Sequence, residues 1–191
     1  MSGTRSSAAV LALAVALPGW ACGGAAPAPR EKLVPSPPPG DAGDLAQELR
    51  RLRVQAGRLL DGGPRSFQRR LRELRGFPVV VNQWATWCGP CRYEFPFFHR
   101  LATRYSGRVA FLGVNTQDSR NEAEEFLREF PVPFPHYYDR DTTVARLFGG
   151  GRAWPTTAFY DAEGKLAYTH LGGYASQAKL DEDIRRYAFD G

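Results

Sequence analysis

Residues 84–91, Trp84-Ala85-Thr86-Trp87-Cys88-Gly89-Pro90-Cys91, decide how the rest of this 191-residue chain is read. Before them stands Val79-Val80-Val81, an apolar run expected as a buried strand, and after them comes a segment with helical spacing. Two cysteines three apart at a strand-to-helix junction are a redox signature rather than a packing one. The first turn of a helix brings positions i and i+3 to one face, so the two sulfurs can close a small ring. Cys88 is expected at the helix N-terminus, where unpaired N–H groups and the macrodipole favour a thiolate. Pro90 suits the first helical turn, because it needs no donor there and pre-sets φ.

Other uses of a CxxC fit less well. A zinc site wants four ligands, and the only further cysteine is Cys22, near the N-terminus. Covalent haem attachment needs His after the second cysteine, where Arg92 stands. A structural disulfide across so short a ring gains little from loop closure.

The run Val79 to Pro96, VVVNQWATWCGPCRYEFP, resembles the active-site segment of the thioredoxin superfamily. More narrowly it is similar to the extracytoplasmic TlpA/ResA-like thiol–disulfide oxidoreductases, whose CxxC is typically followed by Glu and then Pro, as Glu94 and Pro96 are here. The likeness runs from about Gly76 to the C-terminus. It implies an α/β thioredoxin fold, a central mixed sheet flanked by helices, and an enzyme that needs no organic cofactor or metal. Cys88, the more exposed at the helix tip, attacks a disulfide, and Cys91, one turn in, resolves the mixed intermediate.

The resemblance also assigns Trp154-Pro155-Thr156 to a cis-proline loop lying against the dithiol, whose backbone can pair with an extended substrate chain. Trp87, Trp154, Pro155 and Thr156 are therefore expected to face substrate. Thioredoxins carry a buried Asp six residues before the first cysteine; here that residue is Asn82, which cannot titrate. The matching acid in ResA-like proteins is Glu94, one turn beyond Cys91, with a pKa raised if it is buried. The implied partners are cysteine-containing proteins, notably apocytochrome c or copper-site proteins, with a membrane electron donor that recharges the dithiol.

The length allows one domain of ordinary size plus a leader and linker. A hydrophobic content of 43% is enough for a packed core, and a net charge of +5 favours solubility without implying nucleic acid. No nucleic-acid module is recognisable. Residues 1–24 read as a signal peptide, with Arg5 in a positive region and Ala8 to Leu17 as an apolar stretch too short to span a bilayer. Leu17 to Gly24 resembles a bacterial lipoprotein box in which Cys22 would be lipidated, although Gly19 stands where an aliphatic residue is usual; ordinary cleavage after a small residue within Ala25 to Ala28 is the alternative. The expected location is thus outside the cytoplasm, anchored at the outer face of the cell membrane, where disulfides persist.

Residues 25–43, rich in Pro, Ala and Gly, read as a linker that could reach roughly 50–60 Å if extended. Residues 44–75 read as an N-terminal helical extension. One helix is expected from Asp44, as N-cap, to Leu60, with Leu45, Leu49, Leu52, Ala56 and Leu59 on its apolar face. Asp61-Gly62-Gly63 breaks it, and a second helix opens at Pro64, with Phe67, Leu71 and Leu74 inward, and closes at Gly76. The family usually begins with a β-hairpin here. The arginines of this extension are read as a solvated face, with anionic lipid head groups as the alternative contact.

Residues 76–191 read as the thioredoxin-like domain. Strands are expected at Phe77–Trp84 and Arg108–Asn115, and helices at Pro90–Tyr105, kinked by Pro96, and Asn121–Phe130. Pro131, Pro133 and Pro135 impose an extended connection before a short helix, Thr142–Phe148. A hairpin, Thr157–Tyr160 with Lys165–Leu171, precedes a last helix, Ser176–Phe189. His99, His136 and His170 lack metal-ligand spacing and read as structural or exposed. Three rivals frame the reading: a disulfide-forming oxidant of the same fold, a peroxiredoxin, and a non-catalytic binding module. A peroxiredoxin would carry Thr and Pro three and seven residues before its reactive cysteine, where Ala85 and Val81 stand.

Overall fold

The structure is a computed structural model, and it describes residues 42–189. The expected signal peptide, Cys22 and the linker up to residue 41 lie outside the described residues. The elements run α1 (Ala42–Val54), β1 (Leu59–Leu60), α2 (Gly63–Glu73), β2 (Val79–Trp84), α3 (Gly89–Arg104), β3 (Ala110–Thr116), α4 (Arg120–Glu129) and β4 (His136–Asp139). A 3₁₀ turn (Ala145–Phe148), β5 (Thr156–Tyr160), β6 (Leu166–Leu171) and α5 (Gln177–Asp183) follow, and α5 passes into a π-helical turn (Ile184–Phe189).

The strands form one mixed sheet in the order β1-β4-β3-β2-β5-β6. β2, β3, β4 and β1 are parallel, while β5 runs antiparallel to β2 and β6 antiparallel to β5. β2 is buried along its whole length, and its alternation divides the core. Val80 and Trp84 point to one face, into a cluster with Cys91, Phe95, Phe98 and Leu101 of α3, Phe126 of α4 and Leu180 of α5. Val79 and Val81 point to the other, into a cluster with Leu52, Phe67, Leu74, Leu112, Tyr137 and Phe148. The same alternation sends Asn82 toward α3 and Gln83 to the opposite side, a division the site depends on.

The 44–75 segment forms the two expected helices, but with different bounds and with a short strand between them. α1 takes in Ala42 and Gly43, so Asp44 lies inside the helix rather than capping it, and the helix stops at Val54. Gly57 adopts φ +67 and donates its N–H to Phe134 O (2.9 Å), which turns the chain away from helix. Leu59–Leu60 is then a strand paired in parallel with His136–Tyr137, not the end of a helix. Ala56 is exposed, whereas Leu52, Phe67 and Leu74 are buried against the sheet. Arg50, Arg51, Arg53 and Arg58 are exposed; Arg70 instead pairs with buried Glu48 (2.9 Å) and with Gln55 (3.1 Å), tying α2 to α1.

Two further differences concern the C-terminal half. β4 was not expected: after the prolines, Tyr137 and Tyr138 join the sheet beside Val114 and Asn115. The expected helix Ser176–Phe189 is α-helical only to Asp183 and π-helical beyond. α3 continues through Pro96 to Arg104, and Ser176 caps α5 through a hydrogen bond from Lys179 N. No helix among the described residues is long and apolar enough to cross a membrane.

Candidate active site

Cys88 is the N-cap of α3, with extended backbone (φ −85°, ψ 103°), Gly89 and Pro90 opening the helix behind it. Its Sγ accepts a hydrogen bond from Cys91 N (3.2 Å), one of the otherwise orphaned donors of the first turn. Cys88 and Cys91 form a disulfide with Cα atoms 5.3 Å apart. The expected order of exposure holds only narrowly: Cys88 is 3% exposed and Cys91 fully buried, so in this state both lie in the core. Ala85 O accepts from Cys88 N, which closes the turn leading into the helix.

The helical period then places Cys91, Glu94, Phe95 and Phe98 on the stripe that faces the sheet. Glu94 is thereby fully buried. Its Oε1 accepts from Asn82 Nδ2 (2.8 Å) and its Oε2 from Tyr174 N (3.1 Å). Burial raises its pKa from the ordinary 4.5 to about 7, against the opposing pull of those two donors. A buried carboxyl half-protonated near neutrality can both take and give a proton.

The rim of the site is aromatic. Trp87 is 56% exposed, and its ring lies 5.4 Å from that of half-buried Trp154, tilted by 51°. The Trp154–Pro155 peptide bond is cis, and Pro155 O accepts from Gly172 N (2.9 Å). A Cβ placed on Gly173 would come within 3.2 Å of Pro90 and 3.7 Å of Pro155, so this glycine lets the two prolines' segments close up. Thr156 is fully buried, with its hydroxyl donating to Ala153 O (2.9 Å). Its side chain thus braces the turn, and what Thr156 can offer a substrate is its backbone.

Several positioning residues escaped the sequence. Asp118 accepts from Thr86 N (2.6 Å), Thr86 Oγ1 (2.7 Å), Asn115 Nδ2 (2.8 Å) and Ser119 N (3.0 Å), and so fixes the loop before Cys88. Gln83 Oε1 accepts from Gly151 N (2.8 Å), holding the loop that leads to Trp154. The available signal was the polar run Asn115-Thr116-Gln117-Asp118 at the C-terminal end of a parallel strand, where open α/β sheets place their sites. His136 is buried and neutral: its Nδ1 accepts from Trp84 Nε1 (3.0 Å), and burial lowers its pKa to about 3. His99 is exposed, and His170 stacks on Tyr174. Among the described residues no group of acidic, His and Cys side chains could hold a metal.

Comparison with known proteins agrees with this geometry. The chain is 36% identical over 121 residues to the thiol-disulfide oxidoreductase ResA of Geobacillus thermodenitrificans, covering 63% of this chain and 66% of that protein. It is 34% identical over 116 residues to the thiol:disulfide interchange protein DsbE of Pseudomonas fluorescens biotype C, covering 60% of this chain and 63% of the relative. The chain thus spans just under two thirds of the length of these relatives. Among solved structures, a secreted thiol-disulfide isomerase from Corynebacterium glutamicum superposes with a TM-score of 0.53 at 27% identity, over 63% of this chain and 73% of that one. The mixed sheet with the dithiol at the start of α3 is accordingly a thioredoxin fold. The family described as Redoxin matches residues 42–184. That span takes in every element from α1 to α5, the dithiol included, and the chain belongs to the Redoxin family.

Proposed function

We propose that this protein is an extracytoplasmic thiol–disulfide oxidoreductase that reduces disulfides in cysteine-containing protein substrates. The observation that carries the reading is the Cys88–Cys91 pair at the N-terminus of α3, beneath an exposed tryptophan and backed by a buried carboxyl with a pKa near neutrality. In the reduced enzyme the Cys88 thiolate, stabilised by the Cys91 N–H and the helix terminus, attacks a substrate sulfur. One substrate thiolate leaves and a mixed disulfide forms. Cys91 then gives its proton to Glu94 and attacks Cys88 Sγ, which releases the second substrate thiolate and closes the Cys88–Cys91 bond. The substrate gains the two electrons that the dithiol loses.

Trp87, Trp154 and Pro155 supply the surface for the substrate chain. The ResA and DsbE relatives support the reaction class, and the likeness to a secreted isomerase supports the location. The TlpA/ResA-like resemblance points to apocytochrome c or copper-site proteins as substrates and to a membrane electron donor for recharging. Lipidation at Cys22 would tether the enzyme. A peroxidase is disfavoured because Val81 and Ala85, where that chemistry needs Pro and Thr, are buried apolar residues.

The reducing direction is supported by the thiolate's surroundings. Gly89 and Pro90 bring no charge or side-chain donor, and Trp154 adds apolar surface, so little beyond the helix terminus favours a thiolate at this position. The potential should lie closer to the about −270 mV of thioredoxin than to the about −120 mV of the oxidant DsbA. Equilibration with glutathione, together with insulin-reduction turnover, tests the proposal. No turnover would reduce the protein to a binding module, and a potential near the oxidant value would reverse the direction. Mature wild-type protein should partition into detergent, and Cys22→Ser should release it from the membrane or block its processing; a mature wild-type N-terminus beyond residue 22 would end the lipoprotein reading.

A further inference from the structure

The two indoles on the rim come from distant parts of the chain, yet consecutive residues of one turn hold them. Trp154 Nε1 donates to Thr116 Oγ1 (2.7 Å), and Trp87 Nε1 donates to Gln117 O (2.9 Å). The next residue, Asp118, holds Thr86 by both its N–H and its hydroxyl. Thr116 is the last residue of β3 and is fully buried, paired in register with Asp139 of β4. Gln117 has φ +50°, a left-handed conformation that non-glycine residues adopt at a cost, here kept where its carbonyl meets the Trp87 indole.

From this juxtaposition we infer that Thr116 is a positioning residue for protein substrates. It ties the segment before the cis-proline to the turn whose next two residues hold Trp87 and Thr86, and so sets the spacing of the two indoles across which a substrate chain must lie. The inference rests on the disulfide-exchange reading of the dithiol. Trp154 has few ways to hold its ring edge-on to the turn without this acceptor, since its N–H would then be left unpaired or would swing out to water. A small disulfide needs only Cys88 and does not span the indole pair. Selectivity for extended protein substrates is thus built into a strand end that touches neither cysteine.

The experiment compares the wild type with T116V and T116S. Val keeps the shape of Thr and suits a strand but lacks the acceptor; Ser keeps the hydroxyl. Two disulfides are used, insulin and oxidised glutathione. T116V should raise KM for insulin about fivefold, the factor expected for one ordinary hydrogen bond, with kcat and the rate toward oxidised glutathione unchanged. T116S should behave as wild type. Solvent exchange of the Trp154 indole N–H, followed by NMR, should be faster in T116V and unchanged in T116S. If T116V leaves insulin KM and indole exchange at wild-type values, or if its rate toward oxidised glutathione falls in step with insulin, the inference is overturned. A wild-type protein that reduces neither disulfide would count against the exchange reading itself, and the indole exchange would still decide the Thr116 tie.

Discussion

Glu94→Gln should abolish a pH dependence of folding stability that the wild type carries between about pH 4.5 and 7. The folded pKa lies above the unfolded one, so between these values the native state binds a proton that the unfolded chain releases. The stabilisation is complete below about pH 4.5 and is lost as pH rises through about 7, beyond which both states are ionised and the dependence is flat. A shift from 4.5 to about 7 corresponds to about 3 kcal/mol at 25 °C. Gln fits the same pocket, its oxygen accepting from Tyr174 N and its amide donating to Asn82 once the Asn82 amide is turned over. Urea unfolding of both proteins in the disulfide form, at about pH 4, 6 and 8.5, gives the difference directly, because every other titrating group cancels. The stability of Glu94→Gln relative to wild type should climb by about 3 kcal/mol across that range. A difference that stays flat to within about 0.5 kcal/mol would refute the buried, proton-holding carboxyl, and with it the proton path to Cys91.

Cys91→Ala should accumulate a mixed disulfide through Cys88, seen by non-reducing mass analysis, because the residue-91 N–H that faces Cys88 Sγ survives while the resolving thiol does not; Cys88→Ala should trap nothing. Phe67→Ala should cost about 3–5 kcal/mol in denaturant unfolding, since this fully buried ring packs edge-on against Tyr137 and beside Phe148. A loss below about 1 kcal/mol would show that α2 is not part of the core. Gly150→Ala would drive a Cβ into Gln83 Oε1 and within 3.1 Å of Ala145 O, and should cost about 1–3 kcal/mol; an unchanged urea midpoint would show that the loop yields freely.

The parts of this fold that were legible in the sequence are those written in local chemistry. Val79 to Cys91 announces strand, turn and helix cap by composition alone, and the hairpin around Gly164 by its turn residues. What stayed hidden depends on contacts far along the chain. Leu59–Leu60 continue a helical apolar pattern, and only the hydrogen bonds between Gly57 and Phe134 and between His136 and Arg58 make them a strand. The same partnership makes His136–Asp139 a strand directly after prolines that mark only an extended path. In the site, the cysteines follow from their spacing, Glu94 was marked only by the resemblance to ResA-like proteins, and its full burial came from the stripe it shares with Cys91 against the sheet. The polar run ending at Asp118 marked a site-bearing strand end, but not its partner, because Thr86 lies 32 positions away and neither residue type is distinctive.

The brevity of β1 carries a consequence for how many copies can coexist. A sheet margin with a long row of free N–H and C=O groups is a template onto which a second molecule can add its own strand. Here the parallel half of the sheet ends in a strand of only two residues, bracketed by a left-handed glycine on one side and by Asp61-Gly62-Gly63 on the other. It covers the start of β4 and offers a newcomer too short a ladder to register against. At high concentration, strand-to-strand addition of one molecule to another is thereby disfavoured along that margin.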